Sequence, residues 1–265
     1  MILSPSPWWG TIPSLGAVLG YALLALHPGR LTAGKLNALM VMVWLLHGVA
    51  LAANQFGGGV MRFGFAPALS FTAWLVFTLY AIETRLYPQL RARAALVGLG
   101  AATVLLALLF PGTPHLASGS RWLPLHGSLG LVSYGLLAAA VLHGWLTQRA
   151  EASMRQGRPG DITLPLLALE RLTFRLVMAA FAMLSATLLA GWWFSGQGLT
   201  QGWVWNHKTL FTLLSWLALA LLLWGRLTQG WRGRFAIRML YAAATLLLLG
   251  YVGSHFVLEV ILSRA

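Results

Sequence analysis

Residues 125–146 read LHGSLGLVSYGLLAAAVLHGWL. The run is 22 residues long and contains no Asp, Glu, Lys or Arg. As a helix it would extend roughly 33 Å, enough to cross the ~30 Å hydrocarbon core of a bilayer. Working outward, seven further runs of similar character cover roughly 11–27, 36–53, 64–82, 94–110, 176–194, 209–225 and 239–262. Among the eight, only the last carries a formal charge, Glu259. A soluble domain has about 25 % charged residues, whereas this chain has 9 %, with 58 % hydrophobic. The pattern predicts an all-α, polytopic membrane helix bundle with about eight transmembrane helices. Eight spans in 265 residues leave little chain for an extramembrane domain, so the expected organisation is one bundle over 1–265.

The net charge of +13 would suggest a nucleic-acid partner in a soluble protein, but its placement says otherwise. Of the 18 Lys and Arg residues, 14 fall in the first, third, fifth and seventh connections and only four elsewhere (Arg62, Arg121, Lys208, Arg264). Under the positive-inside rule the odd connections are cytoplasmic, and both termini are outside. The expected setting is the bacterial inner membrane, with lipid and no nucleic acid as surroundings. The start, MILSPSPWWG, lacks a basic n-region, so no signal cleavage is expected. Trp8 and Trp9 suit interfacial anchors. The longest connection runs from Arg149 to Arg175; its second half, LPLLALERLTFRL, opens at Pro165 and reads as a helix extending the sixth span.

There is no cysteine, which excludes thiolate metal sites, disulfides and covalent haem attachment through a Cys-x-x-Cys-His motif. Seven histidines remain as strong metal ligands. His27 and His115 lie in or beside connections, and His143 near the cytoplasmic end of the fifth span is expected at the interface. His126 opens the fifth span at the outer side, with Gly130, Ser133 and Tyr134 at +4, +7 and +8, so one helical face is small and polar. His207 opens the seventh span. His47 and His255 are deeper, each roughly 9–10 Å below the outer end of its span at 1.5 Å per residue. Matching depth on two helices would let them ligate one metal. Glu259, four residues after His255, could hold the second imidazole nitrogen. The alternative for each deep histidine is a helix–helix hydrogen bond.

Beside these histidines lies WWFSGQGLTQGWVWNHKT, residues 192–209, with four tryptophans in a glycine-rich external connection. Trp192 and Trp193 fit an aromatic belt closing the sixth span. Trp203, Trp205 and Lys208 sit next to His207. A flat, iron-centred, partly anionic ligand would use imidazoles on the metal, aromatics over the ring and a cation near its carboxylates. Non-covalently bound, b-type haem fits that description. A small-molecule transporter, or a cofactor-free structural or regulatory subunit, are the rival readings. A transporter would be expected to show discontinuous helices or an internal repeat, and neither is clear.

Three stretches resemble the haem-handling cytochrome c assembly proteins of the CcsA and CcmC type, nearest their smaller HemX-like or YpjD-like branch. They are HGSLGLVSYGLLAAAVLHGWL from His126, LPLLALERLTFRL from Leu164, and WVWNHKTLFTLLSWLALALLLWGRLTQGWRGRFA from Trp203. The resemblance implies haem binding on the outer side and a role in c-type cytochrome assembly alongside other maturation proteins. By position His126 matches the family's external histidine, and Trp203, Trp205 and Lys208 match its tryptophan-rich signature. That signature usually reads Trp-Asp-Pro-Lys-Glu; here it is Trp205-Asn206-His207-Lys208-Thr209. Both acidic positions are lost, and Trp224 replaces a ligating histidine of the larger members. The resemblance therefore implies haem binding or an accessory role rather than a complete synthetase. The candidate site residues are His126, His255, His47 and His207 toward iron, and Trp203, Trp205, Asn206 and Lys208 toward the rest of the haem.

Overall fold

The structure is a computed structural model that describes residues 8–26, 32–57, 60–87, 93–116, 123–157, 165–195 and 205–262. Its helices are α1 (Trp8–Leu26), α2 (Ala33–Phe56), α3 (Phe65–Leu86), α4 (Arg93–Leu109), α5 (Leu123–Arg155), α6 (Leu166–Ser195), α7 (His207–Thr228), α8 (Gly233–Leu248) and the short α9 (Ser254–Phe256). Seven described helical segments are long and apolar enough to cross a membrane, and α4 is a shorter apolar helix. The chain is an all-α polytopic membrane protein. Pro165 precedes α6, and the Leu166–Arg175 segment continues into the sixth span as one helix, as its sequence predicts.

Two features depart from a plain bundle. Val60–Phe63 (β1) and Thr113–Leu116 (β2) pair antiparallel, with Met61 opposite His115. Strands this short carry no legible period in the sequence. The stretch after α8 is also wound more widely: Leu249–Gly253 and Val257–Ile261 are π-helical turns on either side of α9. Such turns are frequent at functional sites, because they release carbonyls from the regular ladder.

The chain packs as two compact units: Met1–Thr78, Ala92–Ser118 and Val252–Ala265 form the first, Leu79–Arg91 and Gly119–Tyr251 the second. In the first, α1 lies against α2 and α4. Gly10, Ser14, Ala17, Tyr21 and Leu24 form the buried stripe of α1, spaced three and four residues apart. Lipid tails are as apolar as leucine, so close packing of small residues, rather than hydrophobic transfer, holds such helices together. Gly20 shows the constraint: a Cβ there would run into the Val43 side chain on α2. In the second unit α5 packs chiefly on α6, and α7 on α8. Ser215, Leu219, Leu222 and Gly225 make the buried stripe of α7, while Leu210, Leu214, Leu217, Leu221 and Trp224 face outward as a lipid-exposed face. Gly230 and Gly233 turn the chain from α7 into α8 with φ of 66° and 61°, a region where a side chain is strained.

Overpacking a close helix contact costs roughly 1–3 kcal/mol. Gly20→Leu is therefore expected to lower the thermal unfolding midpoint in detergent by several degrees. Gly98→Leu on α4, where nothing lies within 4 Å of the added carbon, is expected to leave it unchanged. Equal effects of the two would remove the packing argument.

Candidate functional site

In the second unit, the first turn of α5, the last turns of α6, the start of α7 and the first π turn after α8 carry a group of polar and aromatic side chains. His126 stands in the first turn of α5, and its ring lies against Gly191 of α6: a Cβ on Gly191 would be 3.2 Å from His126 Cε1 and 3.7 Å from Nδ1. His126 Nδ1 is buried and has no hydrogen-bond partner. More than nine in ten buried polar atoms are paired, so an orphaned imidazole nitrogen marks a place built for something the protein itself does not supply. The small, polar face predicted on α5 is turned inward: Gly130 meets Thr187, and Ser133 is buried and donates to the Leu129 carbonyl at 2.7 Å.

Two turns further along α5, the Tyr134 hydroxyl donates to the Leu247 carbonyl. That carbonyl stands where α8 gives way to the π turn, so a side chain on α5 supplies part of its bonding. The Tyr134 ring meets the Tyr251 ring edge-on at 6.4 Å, and Lys208 Nζ lies 6.0 Å from the Tyr251 ring centroid. Gly250 leaves room for the Lys208 carbonyl and Thr212. Tyr251 thus joins the set, unforeseen as a member; its place four residues before His255 was the available signal.

The start of α7 explains how the altered signature still folds. Asn206 is the N-cap, with Oδ1 accepting from Thr209 N at 3.0 Å and from the Thr209 hydroxyl at 3.2 Å. Trp-Asp-Pro-Lys-Glu is itself a helix start: an acidic cap, proline at the first helical position, an acid at the third. Here Asn206 keeps the capping oxygen, His207 takes the proline position, and Thr209 supplies a hydroxyl in place of the acid. His207 is exposed, and Trp205 is 75 % exposed. Trp203 lies outside the described residues, as do His27 and the glycines of the preceding turn.

The deep histidines belong to the first unit. His47 is 0 % exposed, and both its ring nitrogens are engaged: Nδ1 with the Tyr21 hydroxyl at 2.9 Å, Nε2 with Ser70 Oγ at 3.0 Å. His255 lies in α9, and its Nδ1 is 3.2 Å from Glu259 Oε1, the contact expected from their spacing. Glu259 is 8 % exposed, and its carboxylate lies against Gly64, whose missing Cβ would be 3.0 Å from Oε1. Among the described residues no three His, Cys, Asp or Glu side chains converge as a metal site.

One expectation is corrected. His143 is not interfacial but 2 % exposed, with Nε2 2.7 Å from Glu83 Oε2 and Nδ1 without a partner. The sequence reading ends the third span at residue 82, but α3 runs on to Leu86 and brings Glu83 onto α5. A lone carboxylate one residue past a span, with a histidine near the same side of another, was the signal. Glu170, near the start of α6, likewise pairs with Arg226 near the end of α7, whose guanidinium also stacks on Phe174 at 4.4 Å.

A membrane-embedded helical protein with unpaired buried imidazoles and a capped aromatic–cationic helix start is the class these features define. The family model for the cytochrome c assembly protein matches residues 32–262, and the chain belongs to that family. The match is wider than the stretch from Leu125 onward that carries the resemblance. The chain is 29 % identical over 220 residues to the cytochrome c biogenesis protein CcsA of Parasynechococcus marenigrum, covering 70 % of this chain and 71 % of that protein. It is 31 % identical over 147 residues to an uncharacterized 28.8 kDa protein of Azospirillum brasilense, covering 53 % of each. It is 28 % identical over 143 residues to the inner membrane protein YpjD of Escherichia coli, covering 51 % of this chain and 52 % of that protein. The match spans about half the length of the last two relatives. No solved structure matches the chain.

Loss of an N-cap side chain costs about 1 kcal/mol. Asn206→Ala is expected to destabilise the protein by that amount in denaturant unfolding. Asn206→Asp keeps the capping oxygen, adds a favourable charge at the helix start and is expected to be neutral or stabilising. A destabilising Asp would show that the cap is not what Asn206 contributes.

Proposed function

We propose that this protein binds haem non-covalently and handles it during c-type cytochrome assembly. The observation that carries the reading is the buried, unpartnered Nδ1 of His126 beside the Gly191 gap, in a chain of the cytochrome c assembly family. Bound haem supplies an iron that accepts an imidazole lone pair and propionates that accept a cation. His126 is the ligand we assign first, because a buried imidazole nitrogen without a hydrogen bond is costly unless a ligand takes it. Lys208 meets a propionate; Trp205, with Trp203, covers the ring edge; Asn206 holds the start of α7 that carries them. His207, on the first turn of α7, is a second candidate ligand. In the first unit His255 is a separate candidate, its ring held by Glu259 as carboxylates hold ligating histidines. His47 is left out of the ligand set, because iron would have to displace Tyr21 or Ser70 from it. The relatives named for cytochrome c biogenesis support assembly as the setting. The charge asymmetry supports the inner membrane, with the tryptophan-rich connection outside.

The test is spectral. Protein purified from a haem-replete host is expected to show a Soret band, and His126→Ala to lose most of it. Gly191→Val, which fills the gap, is expected to do the same. Lys208→Ala is expected to weaken haem affinity roughly tenfold, about 1.4 kcal/mol. A protein without a Soret band, or one unchanged by His126→Ala, would sink the assignment.

Orientation is tested independently, because the chain has no cysteine of its own. Thr200→Cys in the tryptophan-rich connection is expected to react with a membrane-impermeant maleimide in intact spheroplasts. Ser153→Cys, between the fifth and sixth spans, is expected to react only after permeabilisation. The reverse pattern would invert the topology.

A further inference from the structure

Four helices of the first unit enclose a small polar cavity near the C-terminal end of α2. Its volume is about 20 Å³, and its polar lining comes from Ser14 of α1, Asn54 and Gln55 of α2 and Ser70 of α3, closed by Val104 and Ala107 of α4. A cavity of roughly 10–15 Å³ holds one water when two to four polar groups line it. This one meets both conditions. Ser14 donates to the Gly10 carbonyl at 2.7 Å and accepts from Asn54 Nδ2 at 3.1 Å, so the lining is itself held in place. Ser70, on the opposite wall, is bonded to His47, and His47 to Tyr21.

We infer that this cavity binds a water molecule, and that the water, Ser70 and His47 form a proton-exchanging line ending at Tyr21. Water, a serine hydroxyl, imidazole and a phenol share one property: each both donates and accepts a hydrogen bond. A series of such groups can pass a proton without any of them moving far. Asn54 and Gln55 orient the water and take no part in the transfer. His47 lies seven residues before Asn54 on α2, roughly 10 Å along the helix axis, so the line carries solvent protons well into the span.

The exchange step balances. A proton arriving on the cavity water forms a bond to Ser70 Oγ as its bond to water oxygen breaks. The original Ser70 hydroxyl proton forms the bond to His47 Nε2. Reversal returns one proton to the water, so over a cycle the ring nitrogen exchanges its hydrogen with solvent and no net charge stays behind. Tyr21 holds Nδ1 throughout and fixes the ring. An imidazole kept only for helix packing would need one partner; here one side is anchored and the other opens on a polar cavity.

The experiment follows the His47 ring hydrogen in the full chain, labelled with ring-¹⁵N histidine, placed in lipid nanodiscs and transferred to D₂O. His47→Asn assigns the resonance. The ring hydrogen is expected to exchange within minutes, while the backbone amides of mid-α2 stay protected for hours. Ser70→Ala and Asn54→Leu, which removes a cavity wall group and fills the space, are each expected to slow the exchange at least a hundredfold. Ser70→Thr, which keeps the hydroxyl, is expected to preserve it. Tyr21→Phe lies beyond the ring and is expected to leave the rate within about threefold. A His47 ring hydrogen as protected as the α2 amides, or one exchanging equally fast in Ser70→Ala, would overturn the line. The same slowing in Tyr21→Phe as in Ser70→Ala would overturn its direction.

Discussion

Hydrocarbon offers a polypeptide no hydrogen bonds, so every polar group taken into the membrane must find its partner within the chain. The helices satisfy the backbone. The serines and threonines of the spans mostly bond carbonyls three or four residues back, as Ser133, Thr173, Ser185 and Thr187 do. What remains is a short set of long-range bonds between helices: Tyr21 and Ser70 on His47, Ser215 on the Ala243 carbonyl, Trp216 on Ser185, His143 on Glu83. These set the register of neighbouring helices, since the apolar surfaces around them are equally content against lipid.

Against that background the unpaired nitrogens stand out. His126 and His143 each keep a buried Nδ1 without a partner. The two are differently placed. His143 is already tied through its other nitrogen to Glu83, and its burial follows from that pair. His126 lies against a glycine, beside a helix start that presents Trp205, His207 and Lys208. A buried group that costs free energy and stays unsatisfied in the isolated chain is the structural form a ligand site takes before its ligand arrives.

The tryptophan-rich signature is, physically, a helix start with a cargo of aromatic and cationic groups. Its cap, not its acidity, orients α7, and Asn206 serves that purpose with the same oxygen an aspartate would use. Losing both acids removes negative charge beside Lys208, which leaves the cation better disposed toward an anionic ligand. The cost falls on the helix dipole, where a carboxylate would add a few tenths of a kcal/mol.

The eight apolar runs, the capped start of α7 and the helical extension from Pro165 were all legible in the sequence, because each depends on local composition, spacing and punctuation. The contact of Glu259 with His255 was legible for the same reason: four residues on a helix are one turn. By contrast, the partners of His47, the burial of His143 by Glu83, the β1–β2 pair, the π turns and the entry of Tyr251 beside Lys208 required the fold. They join residues from helices far apart in sequence. Whether an imidazole in such a span meets a hydroxyl, a carboxylate or a gap turns on helix rotation and register, to which an apolar sequence pattern is nearly indifferent. The sequence by itself determined a membrane-spanning helical protein with histidines in its spans. Only the tertiary structure decided which imidazoles are satisfied and which are held open, because in lipid that distinction rests on a few interhelical hydrogen bonds.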